Sequence, residues 1–294
     1  MSSPFFSVII PTYNRAGFIL KTIQSVLSQQ FENFEVLIVD DGSTDNTQEV
    51  VQTIHDARVS YFKKENAERA AARNFGVDKS KGTYINFLDS DDLLLPNHLS
   101  DAYEFILANN PDVFHLGYVI EEASSGKVKL PKKVTNINKQ ILRGNLLSCN
   151  GVFIRTQIAR QNRFNETRAL SSLEDWELWI RLAARFSFMH SNQVTSRVIN
   201  HDSRSVMSAD RDKIKMKAAI FEDVVNHDIE NWKVFGNRLK LTVASVSTYV
   251  ALHLAMAGAP KQEIMNYLWR GIRLNPGEVL SKRFLVIVKL AIGL

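Results

Sequence analysis

The hydrophobic positions of this chain switch repeatedly between two rhythms. Short continuous apolar runs occur at residues 5–10, 34–39, 59–62 and 84–88, and runs of that length read as buried strands. Between them the apolar residues recur at helical spacing: Phe18, Ile19, Ile23, Val26 and Leu27, then Val50, Val51 and Ile54. An alanine- and arginine-rich helix is expected from Glu68 to Val77. Strand and helix thus alternate through the first ninety or so residues, the pattern of a parallel sheet wound with helices. Crossovers of that kind are right-handed, so the loops that follow the strands share one edge.

Beyond this the pattern is less regular. It predicts a helix from about Asn97 to Ala108, a strand over Val113–Ile120, and a solvated loop or hairpin in the polar, lysine-rich stretch 121–139. A helix opens at Ser172–Ile180, and Val194–Ile199 reads as a strand. From about Met207 long helical patterns run to Asn275, with a turn at Gly258-Ala259-Pro260 and a break at Pro276-Gly277. A short apolar piece, Phe284 to Ile292, follows. The expected division is a catalytic domain over 1–206, with a nucleotide-binding half at about 1–95 and an acceptor half at about 96–206, and a helical region over 207–294.

Composition changes this picture little. The 294 residues are 45% hydrophobic and 23% charged, enough for a full core. The net charge of +5 suits anionic ligands or an anionic membrane surface, and no nucleic-acid-binding motif is present. The single cysteine, Cys149, cannot close an internal disulfide. With no signal-like leader either, the expected location is cytoplasmic. No sequence stretch reaches the ~20 apolar residues of a membrane span.

Candidate chemistry gathers where strands end. Pro11-Thr12-Tyr13-Asn14, Asp40-Asp41-Gly42-Ser43 and Asp89-Ser90-Asp91-Asp92 fall on the one predicted edge, where open α/β sheets bind ligands. Carboxylates placed there need partners, and a hard divalent cation holding a phosphate is a natural one. No glycine-rich dinucleotide fingerprint or phosphate loop follows the first strand. That absence weighs against a nucleotidyltransferase making sugar nucleotides, the alternative enzyme class. A catalytically inactive sugar-nucleotide-binding protein is the other alternative.

Five segments, Ser7 to Arg15, Val39 to Asp45, Ala71-Ala72-Arg73-Asn74, Asp89 to Asp92 and Glu174-Asp175-Trp176, occur in the order of the family 2 glycosyltransferases, which the chain resembles over about residues 5–205. The resemblance implies a GT-A (Rossmann-like), mostly parallel sheet flanked by helices. It implies inverting transfer of a sugar from a nucleoside diphosphate, UDP first, to an acceptor hydroxyl in cell-surface polysaccharide or glycolipid synthesis. Carried over by position, Tyr13 is similar to the aromatic that packs on the base, with Pro11 in backbone contact. Asp41 resembles the acceptor for the base N–H, while Asp40 structures the turn. Arg73 resembles the residue that orients the aspartate cluster or a phosphate. Asp89 faces the ribose with Ser90 beside it, and Asp91 ligates Mn²⁺ or Mg²⁺. His201 is similar to a late histidine used by some members as a further metal ligand. Asp92 is left as a cap for the next helix.

The catalytic base implied by the resemblance is Asp175. Consecutive helical residues point about 100° apart, so only one of Glu174 and Asp175 can face a given atom. Trp179 is expected in the core and Trp176 along the acceptor cleft. The acceptor is expected to be a glycan or lipid-linked glycan. The basic, apolar C-terminal segments, with Lys282, Arg283 and Lys289, are expected to reach the inner membrane face peripherally, and an oligomer is compatible with them.

Overall fold

The structure is a computed structural model, and it describes residues 3–201 and 210–292. Asp202 to Ser205 of the late polar motif, and Met207, lie outside those described residues.

Among the described residues nine strands form one sheet: β1 (Phe6–Thr12), β2 (Phe34–Asp40), β3 (Val59–Lys63), β4 (Tyr84–Phe87), β5 (Leu93–Leu94), β6 (Val113–Glu122), β7 (Val128–Lys129), β8 (Val152–Arg155) and β9 (Phe188–Asn200). Their order is β3-β2-β1-β4-β8-β6-β9-β5, with β7 paired to β6. The first four strands are parallel. The register sets Thr12 level with Asp40 and Asp40 level with Lys63, so three strands end at one height. That alignment gives the loops a common edge.

Beyond β4 the sheet is mixed. β8 runs antiparallel to both β4 and β6, and β9 runs parallel to β6. The expected hairpin is present: β7 folds back on β6 within the lysine-rich stretch. β8 was not anticipated, because Val152, Phe153 and Ile154 are too few to read as a run.

Continuous apolar runs bury both faces of β1, β2 and β4, as parallel sheets require, while the edge strand β3 is only partly buried. Every residue of β1 is buried. Val8, Ile10, Val36 and Ile38 pack with Ile19, Ile23 and Val26 of the helix Ile19–Leu27. Gly76, in the helix Glu68–Lys79, lies where any Cβ would overlap the Ile9 side chain. The missing side chain lets that helix sit close against β1.

The chain divides into two compact units. One is Met1–Ile137, Leu146–Arg168 and Phe186–Arg204; the other is Asn138–Asn145, Ala169–Arg185 and Ser205–Leu294. This differs from the expected boundary at 206. The helix Glu174–Arg185 groups with the C-terminal helices, because Trp176 stacks on Phe221 at 4.7 Å and Arg185 donates to Asp228 at 2.8 Å. Within this unit the helices Lys240–Met256 and Lys261–Leu274 form the expected pair. The helical run Ile229–Met256 has the length and composition to cross a membrane, which the sequence reading did not foresee. Its apolar window is 61% buried, however, the character of a core helix.

Candidate active site at the ends of the parallel strands

The loops after β1 and β2 are tied into one piece. Asn14 adopts a positive φ of 51°, which asparagine tolerates better than most residues. Its side-chain oxygen accepts from the Thr44 and Asp45 backbone N–H groups at 2.8 and 3.3 Å. In return Ser43 Oγ accepts from Asn14 N–H at 2.9 Å, and Asp45 accepts from Ala16 N–H at 3.2 Å. Burial pulls the Asp45 pKa upward, but its hydrogen bonds to Thr47 and Ala16 outweigh that and leave it below the usual carboxylate range. On this platform Tyr13 is 46% exposed, and Pro11 is buried in β1 opposite Val39.

The adjoining aspartates of the second loop take different roles. Asp40, fully buried, accepts from Ser43 N–H at 2.7 Å and from the Tyr61 hydroxyl at 2.5 Å, so it does structure the turn. Burial first, and then Asp40, push the Tyr61 pKa well up. Asp41 Oδ1 accepts from Lys64 Nζ at 2.7 Å and from Ala67 N–H at 3.0 Å. Gly42 between these loops has φ +85°, and a Cβ there would meet Asn66 N at 3.1 Å. Both reasons for a glycine, positive φ and close approach, therefore apply.

After β4 the acidic cluster separates into three environments. Arg73, 1% exposed, donates to Asp89 Oδ1 at 2.8 Å and lies over the Phe164 ring at 5.1 Å. Asp91 Oδ2 lies 3.1 Å from His201 Nε2 and 3.5 Å from Arg15 Nε. Phe18 stacks on the His201 ring at 4.6 Å. Asp92 is 2% exposed and accepts from the Ile199 N–H of β9 at 2.8 Å. It does not cap the next helix; it fastens β9, because an inward carboxylate needs a buried donor. Ser90 is buried, and its carbonyl accepts from Thr22 Oγ1 at 3.0 Å.

The first unit thus holds Tyr13, Asp41, Arg73, Asp89, Ser90, Asp91 and His201: the Asn14–Ser43 and Arg15–Asp91 contacts tie together the loops after β1, β2 and β4, Arg73 reaches Asp89 from the helix Glu68–Lys79, and His201 reaches Asp91 from the end of β9. Sequence reasoning missed Lys64 and Arg15. Lys64 directly follows Lys63, the residue level with Asp40, so strand-end register was the signal for it.

Asp175 belongs to the second unit, in the first turn of Glu174–Arg185. Its Oδ1 accepts from Trp176 N–H at 2.7 Å and its Oδ2 from Asn145 Nδ2 at 2.8 Å. Glu174 is 2% exposed and accepts from Ser172 N–H at 2.6 Å. Asp175 is therefore the more accessible acid of the pair. Trp176 does not line a cleft: it is 4% exposed and donates to the Ile141 carbonyl at 2.7 Å. An indole whose N–H is satisfied inside the core has no reason to face water. Trp179 is fully buried.

A cation would find a partial shell here. Asp91 and His201 offer one carboxylate oxygen and one imidazole nitrogen 3.1 Å apart, of which the oxygen is the donor that suits Mn²⁺ or Mg²⁺, with phosphate and water to complete a shell. No group of three or more His, Cys, Asp or Glu able to enclose an ion occurs among the described residues. The remaining ligands would have to come from a substrate.

The sequence profile described as "Glycosyl transferase family 2" matches residues 7–167, more than half of the chain. An "Uncharacterized glycosyltransferase" of Rickettsia bellii (strain RML369-C) is 37% identical over 188 residues, covering 61% of this chain and 26% of that protein. The UDP-Glc:alpha-D-GlcNAc-diphosphoundecaprenol beta-1,3-glucosyltransferase WfgD of Escherichia coli is 34% identical over 185 residues, covering 62% of this chain and 71% of that one. Matched segments span only 26% to 32% of three Rickettsia relatives.

Among solved structures, S. aureus TarS 1-349 gives a TM-score of 0.65 at 19% identity, covering 99% of this chain and 92% of that one. The same fragment in complex with UDP-GlcNAc gives 0.60 at 20% identity, covering 95% and 92%. The mannosyltransferase PcManGT of Pyrobaculum calidifontis, in complex with GDP-Man and Mn²⁺, gives 0.61 at 16% identity, covering 99% and 87%. At these identities the likeness is one of fold, and the fold is of GT-A type.

Proposed function

This chain belongs to glycosyl transferase family 2, and from that premise we propose that it is an inverting, metal-dependent glycosyltransferase. It moves a sugar from a nucleoside diphosphate sugar, UDP-linked, to a hydroxyl of a glycan or lipid-linked glycan. Such a step serves the assembly of cell-surface polysaccharide or glycolipid. The observation that supports this reading is that the loops following β1, β2 and β4, linked by Asn14–Ser43 and Arg15–Asp91, carry Tyr13, Asp41, Asp89 and Asp91, with Arg73 paired to Asp89 and His201 to Asp91.

In this reading Tyr13 packs on the base, backed by Pro11, and Asp41 accepts its N–H. Asp89, oriented by Arg73, accepts from the ribose with Ser90 alongside. Asp91 and His201 would hold Mn²⁺ or Mg²⁺, which when bound would supply Lewis-acid neutralisation of the diphosphate leaving group. The acceptor oxygen bonds to C1 as the C1–O bond to the diphosphate breaks, and the electron pair leaves with the diphosphate. Asp175 takes the hydroxyl proton as general base. Its hydrogen bonds from Trp176 N–H and Asn145 hold the carboxylate in one orientation.

We place this work at the cytoplasmic face of a membrane. The exposed Leu285, Val286 and Leu290 on the helix Lys282–Ile292, with Lys282 and Lys289, support peripheral contact. Two basic residues are withdrawn from that role. Arg283 donates to the Ser245 carbonyl and Thr248 Oγ1, and Arg270 is held by Glu222.

The test is a panel of UDP-, GDP- and dTDP-sugars with Mn²⁺, read as thermal stabilisation, since a ligand binding only the folded state raises the melting temperature. A UDP-sugar is expected to stabilise most. Stabilisation by GDP- or dTDP-sugars alone overturns the nucleotide assignment, and none at all overturns the donor reading.

A further inference from the structure

The helical unit contains a groove of about 910 Å³ whose lining includes Trp232, Trp269, Lys240, Arg273, Asn237 and Asn266. Its two indoles are 54% and 53% exposed, whereas Trp176 and Trp179 are buried. Two half-exposed tryptophans in one concavity retain apolar area that a ligand would remove from water. Lys240 and Arg273 are both exposed, and neither has a carboxylate within ion-pair distance among the described residues. Arg270 also lines the groove, but Glu222 binds it through both carboxylate oxygens, at 3.0 and 2.6 Å.

We infer that this groove binds a glycan chain carrying negative charge, as phosphate or carboxylate. The volume falls in the range of small-ligand sites. Indole faces stack against the C–H faces of sugar rings. The amides of Asn237 and Asn266 each carry donors and an acceptor, which matches neighbouring hydroxyls. Two cations without partners select an anionic chain over a neutral one. Concavity favours a chain over a bilayer, which would need protruding apolar residues. None of these residues belongs to the proposed donor or base site, and binding here requires neither donor nor metal.

The experiment titrates the full chain, without nucleotide or metal, with hexagalacturonate and with pentamannosyl phosphate. Maltohexaose serves as the neutral control, and phosphatidylglycerol vesicles as the membrane control. Binding is read by calorimetry and by tryptophan fluorescence. At least one anionic glycan is expected to bind, and maltohexaose at least fivefold more weakly. Trp232→Ala with Trp269→Ala is expected to weaken binding at least tenfold. Lys240→Ala with Arg273→Ala is expected to remove the preference for the charged chain. All four positions are surface-exposed, and an unchanged circular dichroism spectrum shows that the variants fold. The inference is overturned if neither anionic glycan binds, if the tryptophan variant binds as well as wild type, or if only the vesicles bind in a tryptophan-dependent way.

Discussion

At the strand-end edge of the first unit, polar and charged groups are drawn inward and paired: Arg73 with Asp89, Lys64 with Asp41, and His201 with Asp91, the last over 110 residues. In the helical unit several charges pair on the outside, as in Lys233–Glu230, with side chains 64% and 44% exposed, and Lys213–Asp210, with 66% and 43%. The sheet holds its charges in fixed positions because water cannot replace their partners. The helices keep some pairs inside, as in Arg181–Glu177, but leave others such as Lys233–Glu230 in water and also expose apolar residues such as Trp269 and Leu285. The difference shows where geometry is expensive to change: the pairs at the strand-end edge are held inside, while the second unit carries more of its pairs at the surface.

Four perturbations sharpen or break that contrast. Arg73→Ala strips Asp89 of a buried partner. The expected loss is about 3 kcal/mol, at the low end for a broken buried pair, since Asp89 is 28% exposed. A urea midpoint unchanged from wild type would mean the pair is not a structural constraint.

Acid comes next. Burial holds His98 and His115 neutral with pKa values pushed down to about 3, His115 also feeling His190 and His98. On unfolding both return towards 6.5, so below that pH the unfolded chain binds protons that the folded chain refuses. Stability is intact above pH 6.5 and falls towards pH 3 by about 1.4 kcal/mol per histidine per pH unit. Hydrogen exchange followed by segment should show β6 and the helix His98–Asn109 losing protection first. Protection lost uniformly would count against the contrast.

Gly76→Ala should cost about 2 kcal/mol, the usual range for overpacking, and should weaken donor binding by displacing the helix that carries Arg73. A loss of stability with donor affinity untouched would separate packing from the site. The smallest effect belongs to the second unit. Lys233→Ala, which breaks the exposed pair with Glu230, should change stability by less than about 1 kcal/mol, as exposed ion pairs do. A loss comparable to that of Arg73→Ala would erase the distinction.

The legible part of the fold was the part built from local pattern. β1 to β4 and their helices follow from apolar runs and helical spacing. Their parallel register then brings Thr12, Asp40 and Lys63 level. β8 escaped because it has only three apolar residues, and it is recognisable only by its pairing with β4 and β6. Asp92 looked like a helix cap because its partner, Ile199 N–H, is 107 residues away. Trp176 looked like a cleft residue because its neighbours Phe221 and the Ile141 carbonyl come from distant segments. The same distance hid the membership of the helix Glu174–Arg185 in the C-terminal unit. Its own periodicity shows an apolar face but not what covers it.

The account rests on a division of labour between Asp91, for the donor and its cation, and Asp175, for the acceptor proton. Calorimetric titration of the best UDP-sugar with Mn²⁺ into wild type, Asp91→Ala and Asp175→Asn, paired with turnover on the same samples, tests it directly. Asp175→Asn should bind donor within about twofold of wild type while transfer falls by about 10²- to 10⁴-fold, the range for a lost general base. Asp91→Ala should lose metal-dependent donor affinity. Near-normal turnover by Asp175→Asn, or undiminished metal-dependent binding by Asp91→Ala, would contradict the account.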